Sequence, residues 1–145
     1  MTNTNLLNNA IDILLHNGIS SVDQLYIQKH KQELLSDDIT DDERMLFGEI
    51  KTDKIGIKYI LMYSKTKQEF WNIRAIWVRP DLRRQNIATA LLSNIRRLSK
   101  GSEGVTIFIP YNEQRFTLSK LMMRNGYKHR RYIASISATE YNSIW

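Results

Sequence analysis

The 145-residue chain has no cysteine, only two prolines and six glycines, and no apolar run near the ~20 residues that a membrane-spanning helix needs. Without cysteine there is no disulfide framework, no thiolate-ligated zinc or iron–sulfur cluster, and no thiolate nucleophile. A disulfide-stapled secreted scaffold is therefore excluded, and a cytoplasmic location is expected. The first residues lack a basic segment leading into an apolar one, so neither a signal peptide nor a membrane partner is expected. His16, His30 and His129 stand on unlike elements with no ligand-pair spacing, and no metal is expected from them. The acidic group Asp37, Asp38, Asp41, Asp42 and Glu43 lacks the spaced oxygens and glycine of a calcium loop, so it reads as a solvated helix start. A Gly-x-x-x-x-Gly-Lys phosphate loop and a glycine-rich dinucleotide fingerprint are both missing.

What is present is an ordinary globular composition, 42% hydrophobic and 25% charged, of a length suited to one domain spanning 1–145. The net charge of +6 is unevenly spread. Residues 1–72 carry eight basic and eleven acidic side chains, whereas residues 73–145 carry thirteen basic and four acidic ones. A basic half of this kind calls for an anionic partner.

Leu6, Leu7, Ala10, Ile11, Leu14 and Leu15 recur at helical spacing, with Asn3 or Thr4 as cap and Gly18 as stop. Ser21-Val22-Asp23-Gln24 forms a capping-box pattern that predicts a second helix towards Leu35, and Thr40-Asp41-Asp42-Glu43 repeats it. From residue 45 the period shortens. Met45–Lys51, Ile55–Ser64 and Phe70–Arg79 read as antiparallel strands joined by Thr52-Asp53-Lys54 and by Lys65-Thr66-Lys67-Gln68. A helix follows with Ile87, Ala88, Leu91, Leu92, Ile95 and Leu98 on one face and Gly101 as its stop. Val105–Ile109 reads as a buried strand, Phe116–Arg124 as a helix closing at Asn125-Gly126, and Lys128–Ser137 as the last strand. Two helices ahead of β, β, β, α, β, α, β make an α/β or α+β sandwich with a mixed, mostly antiparallel sheet flanked by helices.

Chemistry concentrates between Ala75 and Leu92, where a strand, a basic turn and a helix with small first-turn residues follow one another. A helix N-terminus offers unpaired amides and partial positive charge; Arg83 and Arg84 add full charges, and Ala88, Thr89 and Ala90 leave room for close approach. The run Val78-Arg79-Pro80-Asp81-Leu82-Arg83-Arg84-Gln85-Asn86-Ile87-Ala88 resembles motif A of the GNAT superfamily of N-acetyltransferases, Val-x-Pro-x-x-Arg-Gly-x-Gly-x-Gly/Ala, without a gap. Asn112 after the short strand agrees, as does Leu121-Met122-Met123-Arg124-Asn125-Gly126-Tyr127 beside the family's Leu-Tyr-x-x-x-Gly-Phe segment. The resemblance is specific over 75–127, extends over an acetyl-CoA-binding core at 45–137, and leaves a helical part at 1–38 as the acceptor side.

The resemblance implies acetyl-CoA as cosubstrate. Amides of Arg84, Gln85, Asn86, Ile87, Ala88 and Thr89 would cradle its pyrophosphate behind Arg83, with Lys120 or Arg124 towards the 3′-phosphate. Main-chain groups of Ile76, Trp77 and Val78, together with Asn112, would hold the pantetheine arm. It implies transfer to a primary amine on a protein, a small molecule or an aminoacyl-tRNA, by a monomer or homodimer. Asn86 and Arg84 replace glycines of the pattern, and Asn is the side chain that best tolerates a left-handed backbone. Met122 stands where many members have a proton-donating Tyr, and Asn72 where many have a Glu. Glu69, Tyr111 and Tyr127 are the candidates for moving the acceptor's proton. Two other readings stay open: a CoA- or partner-binding GNAT fold without transfer, and a nucleic-acid-directed protein using Arg96, Arg97, Lys100, Lys120, Arg124, Lys128, Arg130 and Arg131.

Overall fold

Asn3 accepts the Leu6 amide at 2.7 Å and opens α1 (Thr4–Asn17), which buries Leu7, Ala10, Ile11 and Leu14 before Gly18 turns the chain at φ +73°. The computed structural model describes residues 3–65 and 69–145; the expected connection at 66–68 lies outside them. α2 (Ser21–His30) is capped by Ser20 and not by Ser21. The Ser20 backbone is extended, and its Oγ accepts the Asp23 amide at 3.2 Å. The helix stops at His30 and gives way to a 3-10 stretch, Lys31–Leu35, short of the single helix expected.

No helix forms at Thr40-Asp41-Asp42-Glu43; the segment is a turn closed by the Glu43 and Arg44 amides on the Thr40 carbonyl. Long-range bonds supply the reason. The Arg44 guanidinium reaches the carbonyls of Glu33 and Ser36, while the Glu33 carboxylate takes the Met45 and Leu46 amides at 2.6 and 3.0 Å. Those bonds satisfy the backbone outside a helix.

Then come β1 (Phe47–Thr52), β2 (Ile57–Ser64), β3 (Phe70–Val78), α3 (Ile87–Leu98), β4 (Gly104–Pro110), α4 (Arg115–Arg124), β5 (Lys128–Ile133) and β6 (Ala138–Ile144). The last expected strand, Lys128–Ser137, is thus corrected. β5 ends at Ile133, a 3-10 turn at Ala134–Ile136 reverses the chain, and Ser137 at φ +48° leads into a further strand. β6 inserts between β4 and β5, giving the six-stranded order β1-β2-β3-β4-β6-β5 with every pair antiparallel except β3–β4. The architecture is a mixed α/β fold with a mostly antiparallel sheet and four α-helices.

Two cores sandwich the sheet. α3 and α4 pack Leu91, Leu92, Ile95 and Met122 on Leu61, Ile73, Val105 and Ile107; α1 and α2 pack Leu7, Ile11, Leu14 and Ile27 on Ile60, Met62 and Ala75. Side chains two apart on a strand share a face. Ile73 and Ala75 nevertheless lie in opposite cores, because the β2–β3 register slips between them and leaves Arg74 as a bulge.

Candidate active site

The bulge coincides with a split in the sheet. β3 pairs with β4 only from Phe70–Gly104 to Ile73–Ile107, and both strands then run on, to Val78 and Pro110, without pairing to each other. The wedge between them is the floor of a cleft of about 920 Å³. Its walls are the turn ahead of α3, the inner face of α4 and the α1–α2 junction.

At the α3 end the backbone does the work. Arg84 and Asn86 both adopt left-handed conformations, φ +71° and +61°, unusual for residues with a Cβ. They turn the chain so that α3 starts at Ile87 with no side chain capping it, leaving its first N–H groups outside the helical ladder. The turn is braced from below. Arg79 is clamped by Asp53 at 2.7 Å and Asp81 at 2.6 Å, and Arg83 donates from Nε to the Val78 carbonyl at 2.9 Å. Hydrogen bonds from Arg79 hold the Asp53 carboxyl far below the usual carboxylate range, so the clamp stays charged at any ordinary pH.

At the opposite end the α1–α2 junction meets the loop after β4. The Asn112 amide donates to the Gly18 carbonyl at 3.4 Å, and Gln114 Nε2 to Asn17 Oδ1 at 3.2 Å. Beneath them Asp23 is 1% exposed. One of its oxygens accepts Ser20 Oγ at 2.6 Å, and the other accepts Arg74 Nη1 at 3.2 Å. Arg74 is itself fixed by Nε donation to Ser64 Oγ at 3.1 Å and by stacking 3.8 Å over the Tyr26 ring. Burial pushes the Asp23 carboxyl up to about 6, against the opposing pull of Ser20 and Arg74.

The sequence model of the Acetyltransferase (GNAT) family matches residues 23–115. The chain belongs to that family. No curated protein sequence matches it. Solved structures share the fold at low identity. A GNAT-family acetyltransferase from Staphylococcus aureus is 13% identical, covering 99% of this chain and 95% of its own, at a TM-score of 0.67. The PaiA N-acetyltransferase of Thermoplasma acidophilum, solved with coenzyme A, is 12% identical over 82% of this chain and 74% of its own, at 0.62. A point variant of the Vibrio cholerae spermidine N-acetyltransferase SpeG is 7% identical over 99% and 92%, at 0.61.

Within this GNAT domain the cleft gathers Ile76, Trp77, Val78, Arg83, Arg84, Asn86, Ile87, Ala88, Thr89 and Asn112, as well as Arg124. Gln85 and Lys120 lie outside its lining. None of the three proton-transfer candidates lines it either. Glu69 is exposed at the start of β3, at the strand end away from the split. Tyr111 is 64% exposed, its ring under the Arg115 guanidinium at 3.8 Å. Tyr127 is sealed in the α3–α4 core, where its hydroxyl has no partner and burial drives its pKa upward. Met122 is fully buried in the same core. Sequence reasoning did not assign Asp23 and Arg74 to the site. Asp23 carried the signal of a helix cap, and Arg74 that of one more charge on a strand.

Several cations outside the cleft are committed to the fold. Arg96 donates to the Ser143 and Ile144 carbonyls at 3.2 and 2.9 Å and stacks on Trp145; Arg131 pairs with Glu140 at 3.0 Å. Among the described residues no helix is long and apolar enough to cross a membrane, and no group of three or more His, Cys, Asp and Glu is placed to hold a metal ion.

Proposed function

We propose that this GNAT domain is an acetyl-CoA-dependent N-acetyltransferase acting on a primary amine. The observation that carries the reading is the left-handed pair Arg84 and Asn86, at the two positions where the family pattern has glycine, directly ahead of the uncapped start of α3. The backbone keeps the shape of a phosphate cradle although both glycines are gone, and Arg83 and Arg84 strengthen its field. Acetyl-CoA supplies, when bound, an acetyl group activated as a thioester. The amides from Arg84 to Thr89 would hold its phosphates, with Arg124 on the far wall.

The β4-facing edge of Ala75–Val78, which pairs with β2 on its other side only, supports the second half of the reading. Its main-chain groups face a gap where a sheet neighbour would be, so a linear amide-bearing arm can pair there as a strand would. An N–H on that edge would stabilise an oxyanion developing on an acyl carbonyl. With no cysteine in the chain, transfer is direct, from thioester to amine, without a thiol-borne acyl intermediate.

Calorimetry with acetyl-CoA tests the binding half, and CoA release with primary amines tests the transfer half. Saturable binding lost on Arg83→Glu is expected; no binding to the unmodified protein overturns the reading. A CoA-binding domain without transfer is the second reading, favoured by the absence of Glu69, Tyr111 and Tyr127 from the cleft lining. Measurable CoA release from the unmodified protein removes it.

A further inference from the structure

We propose that Asp23 is the general base of this site, taking the proton of the acceptor's ammonium while Ser20 and Arg74 hold its carboxylate in place. The inference rests on the acetyltransferase reading above and names the residue that the expected candidates leave unassigned.

Asp23 is the sole carboxylate among the described residues that line the cleft. It stands at the acceptor end, opposite the turn of Arg83 and Arg84. Its partner Arg74 is the bulge residue at the apex of the wedge, immediately before Ala75–Val78, whose β4-facing edge is free of strand pairing. An amine entering from the α1–α2 side therefore meets the carboxylate before it meets the strand edge. A carboxylate has about four lone-pair sites, and the bonds from Ser20 and Arg74 use one on each oxygen. The others remain for an N–H donor or a bridging water.

The surroundings keep the group in a useful range. Among the described residues, Arg74 from β3 is the charged side chain bonded to it. From α2, Tyr26 spends its hydroxyl on the Met45 carbonyl at 2.6 Å. The cleft lining that α1 and β4 contribute is uncharged: Leu14 and Asn17, and Ile107, Phe108, Ile109 and Pro110. A base that titrates near the working pH is the effective kind, and about 6 is nearer to it than an ordinary aspartate. A purely structural ion pair would need no cleft. A cap would need no Asp at all, since Ser20 already caps α2.

The step balances as follows. The ammonium, R–NH₃⁺, gives one proton to the Asp23 carboxylate, and the freed lone pair forms the C–N bond to the acetyl carbon. The C–S bond breaks with its electron pair on sulfur. The nitrogen's second proton neutralises the departing thiolate, and Asp23 returns its proton to solvent. One proton is released per amide made.

The test compares the unmodified protein with Asp23→Asn, using acetyl-CoA and n-propylamine, spermidine and poly-lysine as acceptors. Acetyl-CoA affinity within about threefold by calorimetry, with kcat lowered about 100-fold or more, is the expected pair of results. In the unmodified protein the acid limb of kcat/KM and the ¹³C titration of the Asp23 carboxyl share one midpoint, and the limb is absent from the variant. Turnover of a folded Asp23→Asn within threefold of normal overturns the assignment, and so does a carboxyl midpoint apart from the acid limb. Should the variant fail to fold, the two midpoints decide on the unmodified protein alone. Acetyl-CoA binding without CoA release from any of the three amines also overturns it. Loss of acetyl-CoA binding itself marks failure of the function reading, seen in the calorimeter before any amine is added.

Discussion

The two ends of the cleft are built by opposite means. The α3 end is a stretch of consecutive residues, exposed, positively charged and shaped by its own backbone. Arg84 and Asn86 bend it and the α3 N-terminus completes it. The α1–α2 end is assembled from residues far apart in sequence, Asp23 and Arg74 being 51 apart, and is almost wholly buried. The first can be exchanged or read as a motif; the second exists only once α2 has docked on β3. On the proposed reading, recognition of an invariant cosubstrate falls to the first construction and choice of an acceptor to the second.

That contrast can be broken from either side. Arg83→Glu should damage the α3 end alone, lowering acetyl-CoA affinity about 100-fold or more by calorimetry, while loss of its bond to the Val78 carbonyl takes about 1 kcal/mol of stability. The second prediction concerns pH. The folded Asp23 carboxyl keeps its proton up to about pH 6, whereas in the unfolded chain it loses it near 3.8. This group therefore makes the fold less stable as pH rises between those values, by roughly 1–3 kcal/mol, and chemical denaturation of Asp23→Asn should show a flatter profile over that interval. Gly18→Ala comes third. It places a Cβ at φ +73° and into the Asn112 amide, so about 1–2 kcal/mol of stability is lost and KM for the amine rises. Acetyl-CoA affinity should stay within about twofold if the two ends are independent. Asn86→Gly is the smallest. It relieves a left-handed Asn at φ +61°, changes stability by less than about 1 kcal/mol and leaves or modestly improves acetyl-CoA affinity.

Legibility followed the same division. Motif A lies within one strand–turn–helix unit, and local pattern carried it from Val78 to Thr89. Asn86 was legible even as a departure, since its left-handed backbone is what the missing glycine demands. Asp23 was hidden because, inside the pattern Ser21-Val22-Asp23-Gln24, it reads as a first-turn helix residue until β3 is packed beside it. The bulge at Arg74 left no mark because the apolar residues Ile73, Ala75 and Ile76 read as strand in either phase. The missed strand β6 has a physical reason too. Ala138-Thr139-Glu140-Tyr141-Asn142-Ser143-Ile144 is interior but polar; Asn142 is satisfied by Thr106 at 2.8 Å and Glu140 by Arg131. Cross-strand polar pairs do not write an alternating hydrophobic pattern. The false helix start at Thr40 failed for the converse reason, its signature being overruled by the Arg44 and Glu33 bonds.

β6 also dictates a schedule. The strand made last is not added at a rim but slides between two strands made earlier, hydrogen-bonding β4 on one side and β5 on the other. During synthesis this edge of β4 therefore waits unpaired, and β5 has no sheet partner until Ala138–Ile144 emerges. Nucleation can proceed from β1 to α3, but sheet closure is deferred until β6 is available. A ribosome-bound chain lacking Ala138–Ile144 should thus display an open β edge, and a chaperone that shields such edges would be needed most for this brief interval.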